Sequence, residues 1–205
     1  GLLLPNRRDF AKAMFQFVGY VLPFDVSTLP GKNVLREKYG FHNNPLVIAS
    51  VGGTSIGEDL LELCGKAFIH AQKRIPDLQM TLITGPRIKP DFLNVPDEIR
   101  VLPFVPKLYE YFAAADLVIV QGGATSIIEL TALNKPFIYF PLDGHCEQAN
   151  IAEKKKKKNI GGEMKLSETN ARILGDQIVK LHGKKTSYPT IPLNGAGRVV
   201  KLMVP

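Results

Sequence analysis

The segment QGGATSIIE, residues 121–129, combines two glycines, two adjacent hydroxyl side chains and one carboxylate. Glycines let a backbone approach a ligand closely, and amides and hydroxyls at the start of a helix bind anions such as phosphate. A carboxylate one helical turn deeper would repel phosphate, so Glu129 is predicted to accept hydrogen bonds from sugar hydroxyls. A capping box between Ser126 and Glu129 is the structural alternative, because S-x-x-E is its signature.

Two other segments carry polar groups of the same kind. Gly53, Thr54 and Ser55 follow the apolar run LVIAS and form a second glycine-rich turn, which could also be an ordinary tight strand-to-helix connection. Residues 143–148, DGHCEQ, offer five polar side chains after another apolar run. Together the three segments predict a pyrophosphate between the glycine-rich turns, a ribose at Glu129 and a sugar at the third segment.

The elements that must position these segments alternate regularly from residue 45 onward. Continuous apolar runs predict strands at 46–50, 80–84, 99–104, 116–120 and 136–140, with a weak sixth strand in 159–166. Helical patterns separate these strands, including 126–133 and a helix that starts near Ser167 and Glu168. The fold class is therefore α/β, with a Rossmann-like, doubly wound parallel sheet. Ligands of such sheets bind beyond the carboxyl ends of the strands.

The chain divides into three predicted segments. Residues 1–44 are assigned to an interdomain arm or linker with one short strand, FVGYV. Residues 45–185 form the predicted nucleotide-sugar-binding domain. Residues 186–205 form a tail in which Pro189 and Pro192 precede a short helix, NGAGRVVKLM.

Composition and charge leave the class of partner partly open. The 205 residues are 45% hydrophobic with a net charge of +7, and five of the basic residues form the run Lys154–Lys158 on a predicted helix. A solvated helix face or an anionic membrane surface could explain this run. No nucleic-acid partner is expected, because no aromatic residues are interleaved with the run as a nucleic-acid platform requires. No apolar run approaches the ~18–20 residues that span a bilayer.

The sequence also bears on where the protein is located and on whether it binds a metal. Without a secretory pattern, we expect a cytoplasmic protein, with membrane association left open. Cys64 and Cys146 lack metal-ligand spacing and are expected to be reduced thiols. Because no Asp-x-Asp motif occurs, no metal or cofactor is expected.

These motifs carry a family resemblance. The chain resembles the C-terminal, donor-binding domain of GT-B glycosyltransferases, in the group of MurG-like N-acetylglucosaminyltransferases and UDP-glycosyltransferases. The resemblance spans roughly residues 18–183 and rests on motifs in order: FVGYVLPFDV, SVGGTSIG, VLPFVP, QGGATSIIE, and ALNKPFIYFP followed by HCEQ.

The resemblance implies a role for each motif. It implies that the glycine-rich loop beside the donor phosphates contains Gly53, Thr54 and Ser55, and that the segment packing on the base contains Phe104 and Val105. It implies a phosphate-binding turn made of Gln121, Gly122, Gly123, Ala124, Thr125 and Ser126, followed by a ribose contact at Glu129. The acidic residue and the glutamine at the sugar hydroxyls would be Glu147 and Gln148. His145 is a weak candidate for the catalytic base and a stronger one for a sugar or structural contact, because inverting members keep the base in the N-terminal domain.

This sequence departs from the family pattern in three respects. Gln121 replaces a histidine that is common in plant members, and Asn150 stands one residue early, so no role is carried to it. The acceptor-binding N-terminal domain has no counterpart in this chain, which we therefore expect to be a fragment or a natural split subunit. The predicted function is to bind a UDP-sugar, or a related nucleotide sugar, for inverting transfer of a hexose to an acceptor held by that domain.

Other classes fit less well. UDP-N-acetylglucosamine 2-epimerases share the architecture, but they resemble one another in a D-S-G-G-x-x-E-E turn and a T-E-R-P-E loop, where this chain has a single Glu and GHCEQ. A nicotinamide dehydrogenase would need G-x-G-x-x-G after the first strand and an acidic residue ending the second, and neither is present. A non-catalytic binding module stays open as an alternative.

Overall fold

The computed structural model of the protein describes residues 6–52, 57–142 and 161–204. The chain forms two compact units. One comprises Val26–Pro189, and the other combines Gly1–Asp25 with Thr190–Pro205.

The larger unit contains a six-stranded parallel sheet in the order β3-β2-β1-β4-β5-β6. Its strands are β1 Leu46–Ser50, β2 Gln79–Ile83, β3 Arg100–Leu102, β4 Leu117–Gln121, β5 Phe137–Phe140 and β6 Gly162–Glu163. The order reverses between β1 and β4, as in a Rossmann sheet. Each of the six strands predicted from residue 45 onward is present, which confirms the predicted doubly wound α/β class.

Helices cover both faces of this sheet. The α-helices of the described residues are α1 Arg7–Met14, α2 Lys32–Tyr39, α3 Glu58–Gln72, α4 Leu108–Ala114, α5 Ala124–Ala132, α6 Ala171–Leu181 and α7 Gly195–Met203. One apolar core joins α3 and α6 to alternate residues of the strands, and a second joins α2, α4 and α5 to the other residues of the same strands. Burial on both faces explains why the strand sequences are apolar throughout.

Helix α2 belongs to the sheet-containing unit, although the sequence assigned residues 26–44 to the arm. Leu35 is fully buried in the core beside α4 and α5. The buried Arg36 donates from Nη2 to Asp116 at 2.6 Å, and Asp116 also accepts from Lys32 and from the backbone N–H of Leu46. Although burial opposes ionisation, these hydrogen bonds hold the pKa of Asp116 below its ordinary value. The network ties α2 to the amino ends of β1 and β4.

One predicted strand and the start of one predicted helix were wrong. The segment FVGYV, 17–21, is not a strand: Gly19 has a φ of 98°, and Tyr20 bonds to Pro192 and Gly195 instead of to a neighbouring strand. The helix predicted from Ser167 begins at Ala171, because Asn170 caps it by accepting the N–H of Ile173 at 3.0 Å.

The smaller unit holds α1 and α7. The N–H of Tyr20 donates to the carbonyl of Pro192 at 2.8 Å, and that of Gly195 donates to the carbonyl of Tyr20 at 3.1 Å. The predicted helix near the end of the chain is present as α7. Within the described parts of the chain, no helix has the length and apolarity needed to cross a bilayer.

Candidate functional site

The carboxyl ends of β1 and β4 meet at the point where the strand order reverses, which is the usual ligand position in such sheets. Gln121 ends β4 and is only 8% exposed. Its Oε1 accepts the backbone N–H of Gly52 at 3.2 Å, across to the turn that follows β1. A side-chain hydrogen bond therefore joins the two glycine-rich segments that the sequence singled out.

The start of α5 offers free backbone donors. The N–H of Gly122 donates to Phe140 at 2.9 Å and that of Gly123 to Gln121 at 2.7 Å. Within the described residues, the N–H groups of Ala124, Thr125 and Ser126 have no hydrogen-bond acceptor. Three unpaired amides at the positive end of a helix can bind an anion. The glycines shape this turn, and the three residues after them are its available donors.

Gly123 leaves space over these donors. Its φ of −60° is open to any residue, and a Cβ built on it would meet no atom of the described residues within 4 Å. Neither backbone strain nor packing therefore requires glycine at this position. The missing side chain instead leaves the helix start open to a ligand.

Glu129 is a buried carboxylate without a partner among the described residues. It is 7% exposed and makes no hydrogen bond or ion pair with any described residue. Burial raises the pKa of the Glu129 carboxyl to about 7. Buried polar groups are normally hydrogen-bonded, so one that is not points to a ligand.

The capping-box alternative for Glu129 is wrong. It required Ser126 to be the N-cap, whereas α5 begins at Ala124 and its N-cap is Gly123, which makes no side-chain cap bond. Ser126 is therefore the third residue of the helix, and Glu129 is the sixth. In this position Glu129 cannot form the reciprocal cap.

The predicted base-binding segment follows β3. Phe104 is 61% exposed, which is compatible with stacking on a base. Val105 is partly buried against the core beneath α4 and α5. The structure therefore brings Phe104 to the same edge of the sheet as Gly52 and α5.

Several predicted residues lie outside the described residues. These are Gly53, Thr54 and Ser55 of the first turn, His145, Glu147 and Gln148 of the third segment, and the run Lys154–Lys158. Their predicted roles stay predictions. Among the described residues, no group of three or more His, Cys, Asp or Glu side chains could hold a metal ion.

Sequence reasoning missed Ser50, the last residue of β1. It is 5% exposed, and its hydroxyl has no hydrogen-bond partner among the described residues. The only available signal was a polar residue ending the apolar run LVIAS. Its side chain points to the α5 face, because Leu46 and Ile48 alternate with it and belong to the core that includes Ile127.

Comparison with known proteins identifies the family. The family model for the glycosyltransferase family 28 C-terminal domain matches residues 47–194. The chain belongs to this family. The match confirms the resemblance inferred from the ordered motifs.

Individual relatives agree with this assignment. An uncharacterized glycosyltransferase of Methanosarcina acetivorans is 31% identical over 134 residues, which cover 62% of this chain and 34% of the relative. The UDP-N-acetylglucosamine--N-acetylmuramyl-(pentapeptide) pyrophosphoryl-undecaprenol N-acetylglucosamine transferase of Carboxydothermus hydrogenoformans is 28% identical over 114 residues, or 54% of this chain and 30% of that protein. The chain thus spans about a third of the length of these curated relatives.

The crystal structure of Acinetobacter baumannii MurG shares the fold. Its TM-score is 0.57 at 17% identity, and the alignment covers 88% of this chain and 56% of that one. The described sheet is therefore one Rossmann-like half of a GT-B fold.

The burial of Glu129 predicts how stability depends on pH. The folded-state pKa of about 7 lies above the value near 4.3 expected in the unfolded chain, so between these values the folded state keeps a proton that the unfolded state releases. The stability that Glu129 contributes is then fully present below pH ~4 and is lost as pH rises through ~7. At pH 8, Glu129→Gln should be more stable than the wild type by about 1–2 kcal/mol, and the gain should shrink towards pH 4.

Urea denaturation at a series of pH values measures this difference. Glu37→Gln, at an exposed position of α2, is the matched control and should follow the wild-type profile. An unchanged pH profile in Glu129→Gln would show that Glu129 is not the carboxyl that titrates near neutrality.

Proposed function

We propose that this chain is the donor-binding half of an inverting GT-B hexosyltransferase and that it binds a UDP-sugar at the junction of β1, β4 and α5. The observation that carries the proposal is Glu129, a buried carboxylate with no partner in the described structure, one turn into a helix whose N-terminal amides are free. A related nucleotide sugar would use the same groups.

Glu129 favours a ligand with two adjacent hydroxyls. A ribose would supply two hydrogen-bond donors to the carboxylate, and charge-assisted bonds of this kind are about twice as strong as neutral ones. Because deoxyribose has only one of these hydroxyls, uridine should bind better than thymidine. Ligand binding would also favour the ionised form of Glu129, which burial alone disfavours.

The diphosphate would lie against the start of α5. The free N–H groups of Ala124, Thr125 and Ser126 and the helix dipole supply a positive field there. The open space above Gly123 admits the phosphates, and Thr125 is exposed to them. With this field in place, we propose that donor binding requires no metal or cofactor.

The remaining donor contacts rest on the family resemblance. Phe104, with Val105 behind it, would pack on the base, and the exposure of its ring suits this role. Glu147 and Gln148 would bind the sugar hydroxyls, with Gly53, Thr54 and Ser55 beside the phosphates. His145 would be a sugar or structural contact and not the catalytic base.

Catalysis would need a second partner. Inverting transfer requires an acceptor hydroxyl held in line with the anomeric carbon and a base that takes its proton. We propose that an acceptor-binding domain or subunit supplies both, while the start of α5 stabilises the charge on the departing diphosphate.

The smaller unit carries a surface that such a domain could cover. Phe17, Val200 and Leu202 are between 54% and 76% exposed, beside the cations Arg198 and Lys201. Large apolar side chains clustered in this way mark interaction surfaces. We assign the protein to the cytoplasm, with membrane contact through the run Lys154–Lys158 as the open alternative.

Nucleotide binding tests the proposal directly. By calorimetry, the wild type should bind UDP more tightly than dTDP, and Glu129→Ala should weaken UDP binding by about 1–3 kcal/mol because charge-assisted hydrogen bonds are lost. Glu37→Ala should bind UDP like the wild type. Equal affinity for both nucleotides, or a Glu129→Ala protein that melts earlier and binds UDP normally, would contradict the proposal.

The 205-residue chain alone should bind donor without transferring sugar. We expect slow, acceptor-independent release of UDP from UDP-glucose or UDP-N-acetylglucosamine, because water would be the nucleophile when no acceptor-binding domain supplies an acceptor and a base. The assay compares UDP release with and without sugar and lipid acceptors. Acceptor-dependent turnover by this chain alone would overturn the half-enzyme proposal and make His145 a candidate base again.

A further inference from the structure

Three buried polar side chains in the larger unit lack a hydrogen-bond partner among the described residues: Ser50, Thr81 and Glu129. The other buried polar groups there have partners. For example, Thr84 Oγ1 donates to the carbonyl of Ile88 at 2.7 Å, and Thr131 Oγ1 donates to that of Ile127 at 2.7 Å. An unsatisfied buried hydroxyl is unfavourable for folding, so its retention calls for an explanation.

The three positions differ in where they lie along the sheet. Thr81 is the middle residue of β2, pairs with Ile48 and Arg100, and is 2% exposed. Ser50 ends β1, pairs with Val120 and lies two residues before Gly52. A ligand beyond the carboxyl ends of the strands could therefore reach the Ser50 hydroxyl but not that of Thr81.

Ser50 and Glu129 lie on the same side of the sheet. Leu46 and Ile48, which alternate with Ser50 along β1, pack in the core that also contains Ile127 and Leu130 of α5. The Ser50 hydroxyl is thus at the carboxyl edge of the layer that carries Glu129 and the free amides of α5. The Ser50 hydroxyl, Glu129 and the amides of α5 therefore lie at the same carboxyl edge, on the α5 side of the sheet.

We propose that Ser50 is a further ligand-binding residue, whose hydroxyl hydrogen-bonds the ribose–diphosphate portion of the nucleotide bound beside Glu129. The inference rests on the proposed donor-binding function. It adds a contact from the end of β1, so that the nucleotide is held from two elements across the point where the strand order reverses. It also explains why an apolar strand ends in a buried hydroxyl.

The test compares Ser50→Ala with the matched variant Thr81→Val, which removes a buried hydroxyl that also lacks a partner among the described residues, from the middle of a strand. Ser50→Ala should melt at or above the wild-type temperature without ligand, because no hydrogen bond to a described residue is lost. Its dissociation constant for UDP should rise about three- to tenfold, as expected for one hydrogen bond. Thr81→Val should leave the dissociation constant unchanged, and Ser50→Cys, with its weak donor, should be intermediate.

Measurements with uridine, UMP and UDP locate the contact. A loss already seen with uridine assigns Ser50 to the ribose, and a loss that appears only with UMP or UDP assigns it to phosphate. If Ser50→Ala and Ser50→Cys both bind UDP like the wild type while Glu129→Ala does not, Ser50 is not a ligand contact and the proposed function stands. If Thr81→Val weakens UDP binding as much as Ser50→Ala, the effect is structural and the inference fails. If the wild type binds no nucleotide, the proposed function fails first.

Discussion

The parallel pairing of β1 with β4 is the constraint on which the candidate site depends. Both strands end at the same edge, with Ser50 opposite Val120, so the two turns that follow must begin side by side. The hydrogen bond from Gly52 to Gln121 then joins these turns directly. At the opposite edge, Asp116 ties the starts of β1 and β4 to α2. The hydrogen bonds at both ends of the pair keep the register that aligns the two loops.

One helix then supplies groups of opposite polarity to the same region. The first turn of α5 presents amides that attract an anion, while Glu129 lies one turn deeper, where burial opposes its charge. The carboxylate is therefore in an unfavourable state without a ligand. A group retained in such a state at the end of a sheet is typical of a binding site whose affinity comes at some expense of stability.

Much of the fold could be predicted because a parallel sheet covered on both faces leaves a strong local signal, namely apolar runs such as DLVIV and PFIYF. Helix α2 was missed because its eight residues contain few apolar side chains, and its attachment depends on a distant pair, Arg36 with Asp116. The segment FVGYV has strand propensity, but no strand of the described residues pairs with it. Local propensity reveals neither the distant ion pair of α2 nor the lack of a pairing strand for FVGYV.

The site was predictable in composition but not in detail. The types and order of residues in QGGATSIIE indicated that the ligand carries a phosphate and a sugar hydroxyl. The exact start of α5, at Ala124, was not predictable, because its N-cap is Gly123, which has no side chain to form a capping hydrogen bond. Ser50 could not be selected, because a single polar residue at a strand end is common and only its burial sets it apart.

A crystal structure of the chain with UDP tests the central claim most directly. We expect the diphosphate within hydrogen-bond distance of the amides of Ala124, Thr125 and Ser126, and the ribose hydroxyls hydrogen-bonded to the carboxylate of Glu129. A nucleotide bound elsewhere, or bound here with Glu129 still unpartnered, would contradict it.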